Sequence, residues 1–144
     1  MSGEVRIFDA GIRLFAERIA GTTDATINGM YLEYGDDMNV DVSGRSLAYF
    51  SELTEKPHSG YGRIAVQDIH VDPEGNIKVM GLFSCGDLKG GSIGKDTRLV
   101  AVTLACIDGA SQANDIFLAC TRLATPMKLV KGSAMSITIT LNLE

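Results

Sequence analysis

The sequence of 144 residues lacks much of what catalysis or nucleic-acid binding would require. It has no tryptophan, only two histidines (His58 and His70), and thirteen Lys and Arg against eighteen Asp and Glu. The resulting net charge of −5 has the wrong sign for a protein that grips nucleic acid over a broad face. Aromatic residues are not interleaved with basic ones, as they would be to stack on single-stranded bases. We therefore expect no nucleic-acid partner.

Long apolar runs are also missing. No run reaches the roughly 18 residues that a membrane span needs. Glu4 and Asp9 interrupt the first residues, so the start of the chain does not resemble a signal peptide. We expect neither a membrane partner nor secretion.

The cysteines are few and odd in number. Cys85, Cys106 and Cys120 have no paired spacing, which fits a reducing compartment better than a disulfide framework. A zinc site would need a second cysteine pair or nearby histidines. The sequence therefore predicts buried or half-buried structural thiols and no metal.

The two histidines do not form a catalytic pattern. His58 lies in a loop rich in proline and glycine, and His70 lies between Asp68 and Asp72 near the end of a hairpin. A histidine flanked by acids at such a position is more typical of a solvated hairpin tip than of a general base. We predict no catalytic residue and no enzyme activity.

Two further segments look like ion or phosphate sites but lack the required residues. The acidic stretch 36–41 does not have the twelve-residue calcium-loop pattern with its terminal Glu. Gly90–Lys95 looks like a phosphate-binding loop, but Lys89 stands where its first glycine belongs, and Asp96 stands where Ser or Thr must follow the lysine. We predict no cofactor, and we interpret the segment from Cys85 to Asp96 as a mobile loop.

One amphipathic helix is predicted near the start of the chain. Phe8, Ile12, Phe15 and Ile19 recur on a 3.6-residue period, and Gly21 ends the pattern. A helix of about a dozen residues is marginal alone in water, so this stripe must dock. Docking on its own sheet is favoured, and insertion into a neighbouring subunit is the alternative.

The rest of the chain reads as strands, except for a short helix that Ser46 would cap and that would carry Leu47, Tyr49, Phe50 and Leu53. Residues 63–71 and 77–84 flank a turn-rich connection and predict a hairpin. Thr97–Ile107 predicts a central strand that is buried on both faces. Strict alternation from Met135 to Leu143 predicts a half-buried strand. Further strand patterns cover residues 25–34 and 127–131, while 116–123 fits either strand or helix.

These patterns together predict a fold that is mainly β. We expect a single domain over residues 1–144, divided into an N-terminal helix or arm over 1–21 and a β domain over 22–144. The many short strands favour a jelly-roll-like or sandwich domain preceded by one N-terminal amphipathic helix.

Several stretches carry a resemblance to one family. They are Phe8–Gly21 with Thr26–Tyr34, Ala48–Leu53 leading to Gly62–Val66, and Leu99–Asp108 with Asn114–Ala119 and Pro126–Lys131. In this order they resemble small virion structural proteins of tailed bacteriophages, and together they cover most of the chain.

The resemblance implies a non-enzymatic particle component, namely a capsid decoration or cement protein in a virion assembled in the host cytoplasm. Its expected partners are the major capsid protein and further copies of itself, as a dimer or trimer. The N-terminal helix is expected to act as a clamp and the Gly86–Gly94 loop as an adaptable contact. The predicted partner-binding residues are Phe8, Ile12, Phe15, Gly90, Gly91 and Gly94.

Three alternatives stay open at the level of sequence. A tail or baseplate component would differ from a head protein in its copy number per particle. A small hydrolytic or ligand-binding domain would use His58 or His70. A host-surface binding module would adhere to cells or glycans.

Overall fold

The structure is a computed structural model that describes residues 2–142, and it is mainly β. The strands are β1 (Ser2–Ile7), β2 (Gly29–Gly35), β3 (Gly60–Ala65), β4 (Asp68–Val71), β5 (Ile77–Phe83), β6 (Leu88–Gly90), β7 (Arg98–Cys106), β8 (Ile116–Lys128) and β9 (Met135–Leu141), and the α-helices are α1 (Asp9–Ala20) and α2 (Leu47–Thr54). Within these residues the strands form two antiparallel sheets. The large sheet has the order β1-β8-β7-β2-β3-β6, and the small sheet has the order β4-β5-β9.

The two sheets enclose one apolar core. Met30 and Leu32 of β2 pack in the same cluster as Val79 of β5 and Ile139 of β9, and each is at most 1% exposed. Gly81 of β5 lets the sheets approach closely, because a Cβ there would lie 2.6 Å from the Met30 sulfur. This arrangement is consistent with a β-sandwich, as the alternation of apolar residues predicts.

The two clearest strand predictions are confirmed. β7 lies between β2 and β8, and its residues from Leu99 to Ala105 are buried on both faces. In β9, Ile137, Ile139 and Leu141 are buried, while the residues between them face outward. Leu143, which continues the pattern, lies outside the described residues.

The predicted short helix is confirmed at α2. The Ser46 side chain caps it by accepting a hydrogen bond from the Tyr49 N–H at 3.1 Å. Phe50 and Leu53 are buried against Tyr31 on the face of the large sheet that points away from the small sheet. α2 therefore closes a second, smaller apolar layer.

The start of the chain differs from the prediction, because a strand and not a helix comes first. β1 pairs with β8, and α1 follows it and ends at Gly21, whose φ of 72° is left-handed. Residues 1–21 were expected to form a helical arm, but β1 belongs to the large sheet. Neither helix within residues 2–142 is long and apolar enough to cross a membrane.

The run predicted as one strand over 63–71 is broken between the sheets. The Val66 N–H donates to the Asn28 carbonyl in the connection before β2 at 2.9 Å, and the Gln67 N–H donates to the Met80 carbonyl of β5 at 2.8 Å. The chain therefore leaves the large sheet as β3 and enters the small sheet as β4. The predicted hairpin is formed by β4 and β5 alone.

β8 resolves the ambiguity at 116–123 in favour of a strand and also absorbs part of the strand predicted over 127–131. Its register with β7 shifts, since Ala101 pairs with Arg122 while Leu99 pairs with Met127. Pro126 falls in this irregular stretch, where its missing N–H does not interrupt a regular ladder.

Candidate functional site

The exposed face of α1 carries an apolar strip. We call Ile12, Phe15, Ala16 and Ile19 the α1 strip. Ile12 is 57% exposed and Ile19 is 88% exposed, while Phe15 is half-buried against the core. α1 docks on β8 through another face, because a Cβ on Gly11 would lie only 2.2 Å from the Leu118 carbonyl oxygen.

The sequence-predicted clamp is thus only partly assembled on one surface. Ile12 and Phe15 share the strip, but Phe8 precedes the helix and packs beside Val42 and Val100 in a separate cluster. The whole stripe was expected to dock on its own sheet, with insertion into a neighbouring subunit as the alternative. The structure shows that much of the stripe faces solvent.

Two neighbouring grooves lie beside α1 and share Leu14 and Ala25 in their linings. One, of about 360 Å³, runs between Leu14 and Ile116, which is 51% exposed. The other, of about 120 Å³, separates Phe15 from Ile69 of β4, which is 38% exposed. Only the smaller groove reaches the α1 strip, through Phe15, whereas Arg13 and Glu17 line the larger one.

The glycine segment is more ordered than its composition predicts. It contains β6, which pairs with β3, and the Gly91 N–H donates to the Ser59 carbonyl at 2.8 Å. Tyr34 Oη donates to the Gly91 carbonyl at 2.7 Å, and a Cβ on Gly90 would lie 2.5 Å from the Ser59 carbonyl oxygen. Gly90 and Gly91 thus permit close backbone packing, and their role in binding a partner stays a prediction.

The two histidines lie in different parts of the molecule. His58 precedes β3 with a left-handed φ of 55°, and its Nδ1 lies 2.7 Å from the Ser92 carbonyl oxygen, above Gly94. His70 in β4 is exposed, and its Nδ1 lies 2.7 Å from Asp68 Oδ2. His58 therefore holds two loops together, while His70 occupies the exposed hairpin that its neighbours indicate.

Sequence reasoning missed two polar clusters on the α2 side of the large sheet. The first, the Asp115 cluster, joins Tyr31, Arg63 and Asp115. Arg63 donates through Nε at 2.6 Å and Nη2 at 2.9 Å to the two carboxylate oxygens, and Tyr31 Oη also donates to Oδ2. Burial alone would raise the pKa of Asp115, but the hydrogen bonds from Arg63 and Tyr31 outweigh it and lower the pKa.

The second, the Glu33 cluster, joins Glu33, Arg45 and Tyr49. Arg45 Nε donates to Glu33 Oε1 at 2.9 Å, and Tyr49 Oη donates to Oε2 at 2.5 Å. The Glu33 and Arg45 side chains are each 1% exposed, and the guanidinium carbon lies 4.2 Å from the centre of the Tyr49 ring. Burial first, and then the charge of Glu33, raises the pKa of Tyr49.

The phenols of the two clusters keep their protons. A raised pKa keeps the phenols of Tyr31 and Tyr49 protonated at neutral pH, so neither is an activated nucleophile. A cavity of about 390 Å³ opens beside Glu33, but the hydrogen bonds to Glu33 already engage both of its carboxylate oxygens. The geometry supports a structural role, in which the two clusters hold β2 against β3, α2 and the connecting loops.

The thiols and the remaining acids form no further centre within the described residues. Cys85 and Cys106 are half-buried and Cys120 is buried, which confirms the predicted burial of the thiols. No group of three or more His, Cys, Asp and Glu side chains between residues 2 and 142 is placed to hold a metal ion.

Comparison with known proteins does not assign a function to these surfaces. No protein-family model, curated protein or solved structure matches the chain. Function must therefore be inferred from the exposed residues and from the resemblance of the sequence.

Proposed function

We propose that this protein is a decoration or cement protein of a tailed-bacteriophage capsid, with a jelly-roll-like β domain that bridges neighbouring major capsid proteins. The order of the resembling segments supports the phage assignment. The observation that carries the binding role is the α1 strip, where Ile12 and Ile19 are 57% and 88% exposed. A row of apolar side chains on a docked helix marks a surface that another protein covers.

The strip is well placed to act without reorganisation. α1 is fixed on β8 at Gly11 and ends at the left-handed Gly21, so the strip is presented on a rigid helix. Pre-organisation of this kind reduces the entropy lost on binding. Ile19 joins Ile12 and Phe15 as a proposed contact, and Phe8 is left out because it packs elsewhere.

Stabilisation of the shell would then follow from mass action. Many copies bind the expanded shell and not the unexpanded one, so each occupied site favours the expanded state. When the free concentration of the decoration protein is 100 times its Kd, binding stabilises the expanded shell by about 2.7 kcal/mol per site. No chemical step is needed.

The test is co-sedimentation with expanded empty capsids of the phage that encodes the chain. Fully burying an isoleucine contributes about 1.5–3 kcal/mol, so the double variant I12S/I19S is expected to bind at least about 100-fold more weakly. Point substitutions are preferable to deletion of residues 1–20, because that deletion would remove β1 from the large sheet.

Leu82→Ser is the matched control, because Leu82 is 50% exposed on β5 and lies outside the strip. It is expected to bind like the wild type. Wild-type binding by I12S/I19S would reject the clamp, and failure of the wild type to bind would reject the decoration role. Densitometry of purified virions gives the location, since hundreds of copies indicate the head and a handful indicate the tail.

A further inference from the structure

A basic depression lies where β7 begins and β8 ends. It has a volume of about 290 Å³, and Ile93 and Leu129 contribute apolar side chains to its lining. Its charged residues, which we call the basic patch, are Lys95, Arg98, Lys128 and Lys131. Four of the chain's thirteen Lys and Arg thus line one depression of an acidic protein, and no described Asp or Glu lines it.

The basic patch is not neutralised within the described part of the chain. Arg98 pairs directly with Lys128 in the β7–β8 register, and like charges that face each other across strands are destabilising. None of the ion pairs among residues 2–142 involves a residue of the patch. Such an arrangement is typical of a surface that meets negative charge from outside.

The patch is held in place by a buried hydroxyl. Thr97 is 2% exposed, and its Oγ1 accepts from the Gly94 N–H at 2.9 Å and donates to Asp36 Oδ1 at 2.9 Å. Because Asp36 directly follows β2, this bond joins the patch to the loop after β2. Two oppositely charged regions therefore lie side by side at the same end of the molecule.

That loop carries the complementary charge. We call Asp36, Asp37, Met38 and Asp41 the acidic loop. All four side chains are exposed, and the apolar Met38 is 52% exposed. Asp37 and Asp41 each accept one backbone N–H at 2.9 Å, from Asn39 and Ser43, which fixes their orientation.

We propose that the basic patch of one copy binds the acidic loop of a second copy and the reverse, so that two chains form a dimer through this end of the molecule. In a dimer with two-fold symmetry, the basic patch of each copy faces the acidic loop of the other, so the same contact forms twice. This arrangement requires the patch and the loop to lie at the same end of the molecule. Val130, 47% exposed beside the patch, supplies an apolar partner for Met38.

A second copy fits this surface better than a nucleic acid. The net charge of −5 opposes a polyanion and a second copy alike, so it does not separate the two. The apolar part of the lining and the exposed Val130 favour a partner that also brings an apolar side chain, as Met38 of the acidic loop does. The acidic loop of another copy offers both carboxylates and an apolar side chain. The inference does not depend on the capsid proposal, because dimerisation is measured on the isolated protein.

The test is sedimentation equilibrium of the full chain at low salt. The wild type is expected to dimerise, and K128E/K131E and D37K/D41K are each expected to weaken self-association by at least about tenfold. An equimolar mixture of the two reversed variants is expected to regain wild-type affinity as a heterodimer. Salt at about 1 M, where the Debye length is about 3 Å, should weaken the wild-type dimer.

Two controls keep the outcome clear. Lys89→Glu reverses one charge outside the patch, as each substitution in K128E/K131E does inside it, and should leave the affinity unchanged. D37N/D41N removes the charge but retains an oxygen that can accept from Asn39 and Ser43, so it reports on charge if D37K/D41K does not fold.

A wild type that stays monomeric at every concentration would overturn the proposal, and so would reversed variants whose mixture does not associate. Binding of a labelled DNA oligonucleotide that K128E/K131E abolishes, with self-association intact, would instead identify a polyanion site. Failure to bind capsids, in contrast, would reject the decoration role without affecting the dimer proposal, which is tested by sedimentation of the isolated protein.

Discussion

The Glu33 cluster and the Asp115 cluster use the same three kinds of side chain on the same face of β2, yet they differ in completeness. Arg63 places two N–H groups on Asp115 and donates from Nη2 to the Gly109 carbonyl at 2.7 Å as well. Arg45 is more deeply buried, and its Nη2 has no hydrogen-bond partner among the described residues. Both clusters therefore combine a carboxylate, a guanidinium and a phenol, but only the Glu33 cluster contains a buried guanidinium nitrogen without a hydrogen-bond partner among the described residues.

The comparison separates the value of an ion pair from the penalty of breaking it. Taking both charges out of water is expensive, so a buried pair adds little net stability, whereas removing one partner leaves an uncompensated charge. The cluster that is further from water should therefore be the more sensitive to loss of its carboxylate.

The largest effect is expected for Glu33→Ala. Arg45 would be left charged and 1% exposed, so the free energy of unfolding should fall by about 3–5 kcal/mol, as measured by urea denaturation. The double variant E33M/R45M replaces both charges with apolar groups and should lose much less. Equal losses in the two variants would show that packing, and not charge, dominates this cluster.

Asp115→Ala is expected to be milder. The Arg63 side chain is 15% exposed and can regain water, so we expect a loss of about 2–3 kcal/mol in the same denaturation experiment. A loss larger than that of Glu33→Ala would contradict the ranking by burial.

A smaller difference should separate the two tyrosines. Tyr49→Phe leaves Glu33 Oε2 without its phenol donor, whereas Asp115 Oδ2 still accepts from Arg63 after Tyr31→Phe. We expect losses of about 2 and about 1 kcal/mol, respectively. Thermal unfolding of both variants would check the order, and the reverse order would contradict it.

The smallest expected effect is a dependence of the free energy of unfolding on pH in the acid range. Because the folded pKa of Asp115 is lowered, its stabilisation is complete above the unfolded pKa of about 3.9 and is lost as pH falls through the folded value. The stability difference between the wild type and Asp115→Asn should therefore stay constant at neutral pH and shrink below about pH 4. Urea denaturation across this range is the measurement, and a constant difference down to the lowest pH would rule out this contribution.

Local signals in the sequence were sufficient to predict α2, β7 and β9. Ser46 caps α2 by accepting from the Tyr49 N–H, only three residues along the chain, and the alternation in β9 reports directly on which side chains face the core. The break between β3 and β4 could not be found this way. The bonds that cause it reach from Val66 to Asn28 and from Gln67 to Met80.

The candidate surfaces show the same limit. The spacing of apolar residues indicates α1, but the docking face is set by the close approach of Gly11 to β8. Gly11 was a signal that a search for small residues on the helix could have used. The Asp115 cluster joins residues 84 positions apart, and the Arg98–Lys128 pair exists only through the sheet register, so neither is visible in a local pattern.

The position of β9 also matters for biosynthesis. Of the strands in residues 2–142, β9 leaves the ribosome last, and its row of Ile137, Ile139 and Leu141 completes the cover over the core. Until then part of the apolar core stays uncovered in the nascent chain, as in other unfinished β domains whose pairing is non-local. Translation that stalls before Met135 should therefore produce a chain that chaperones retain and proteases remove.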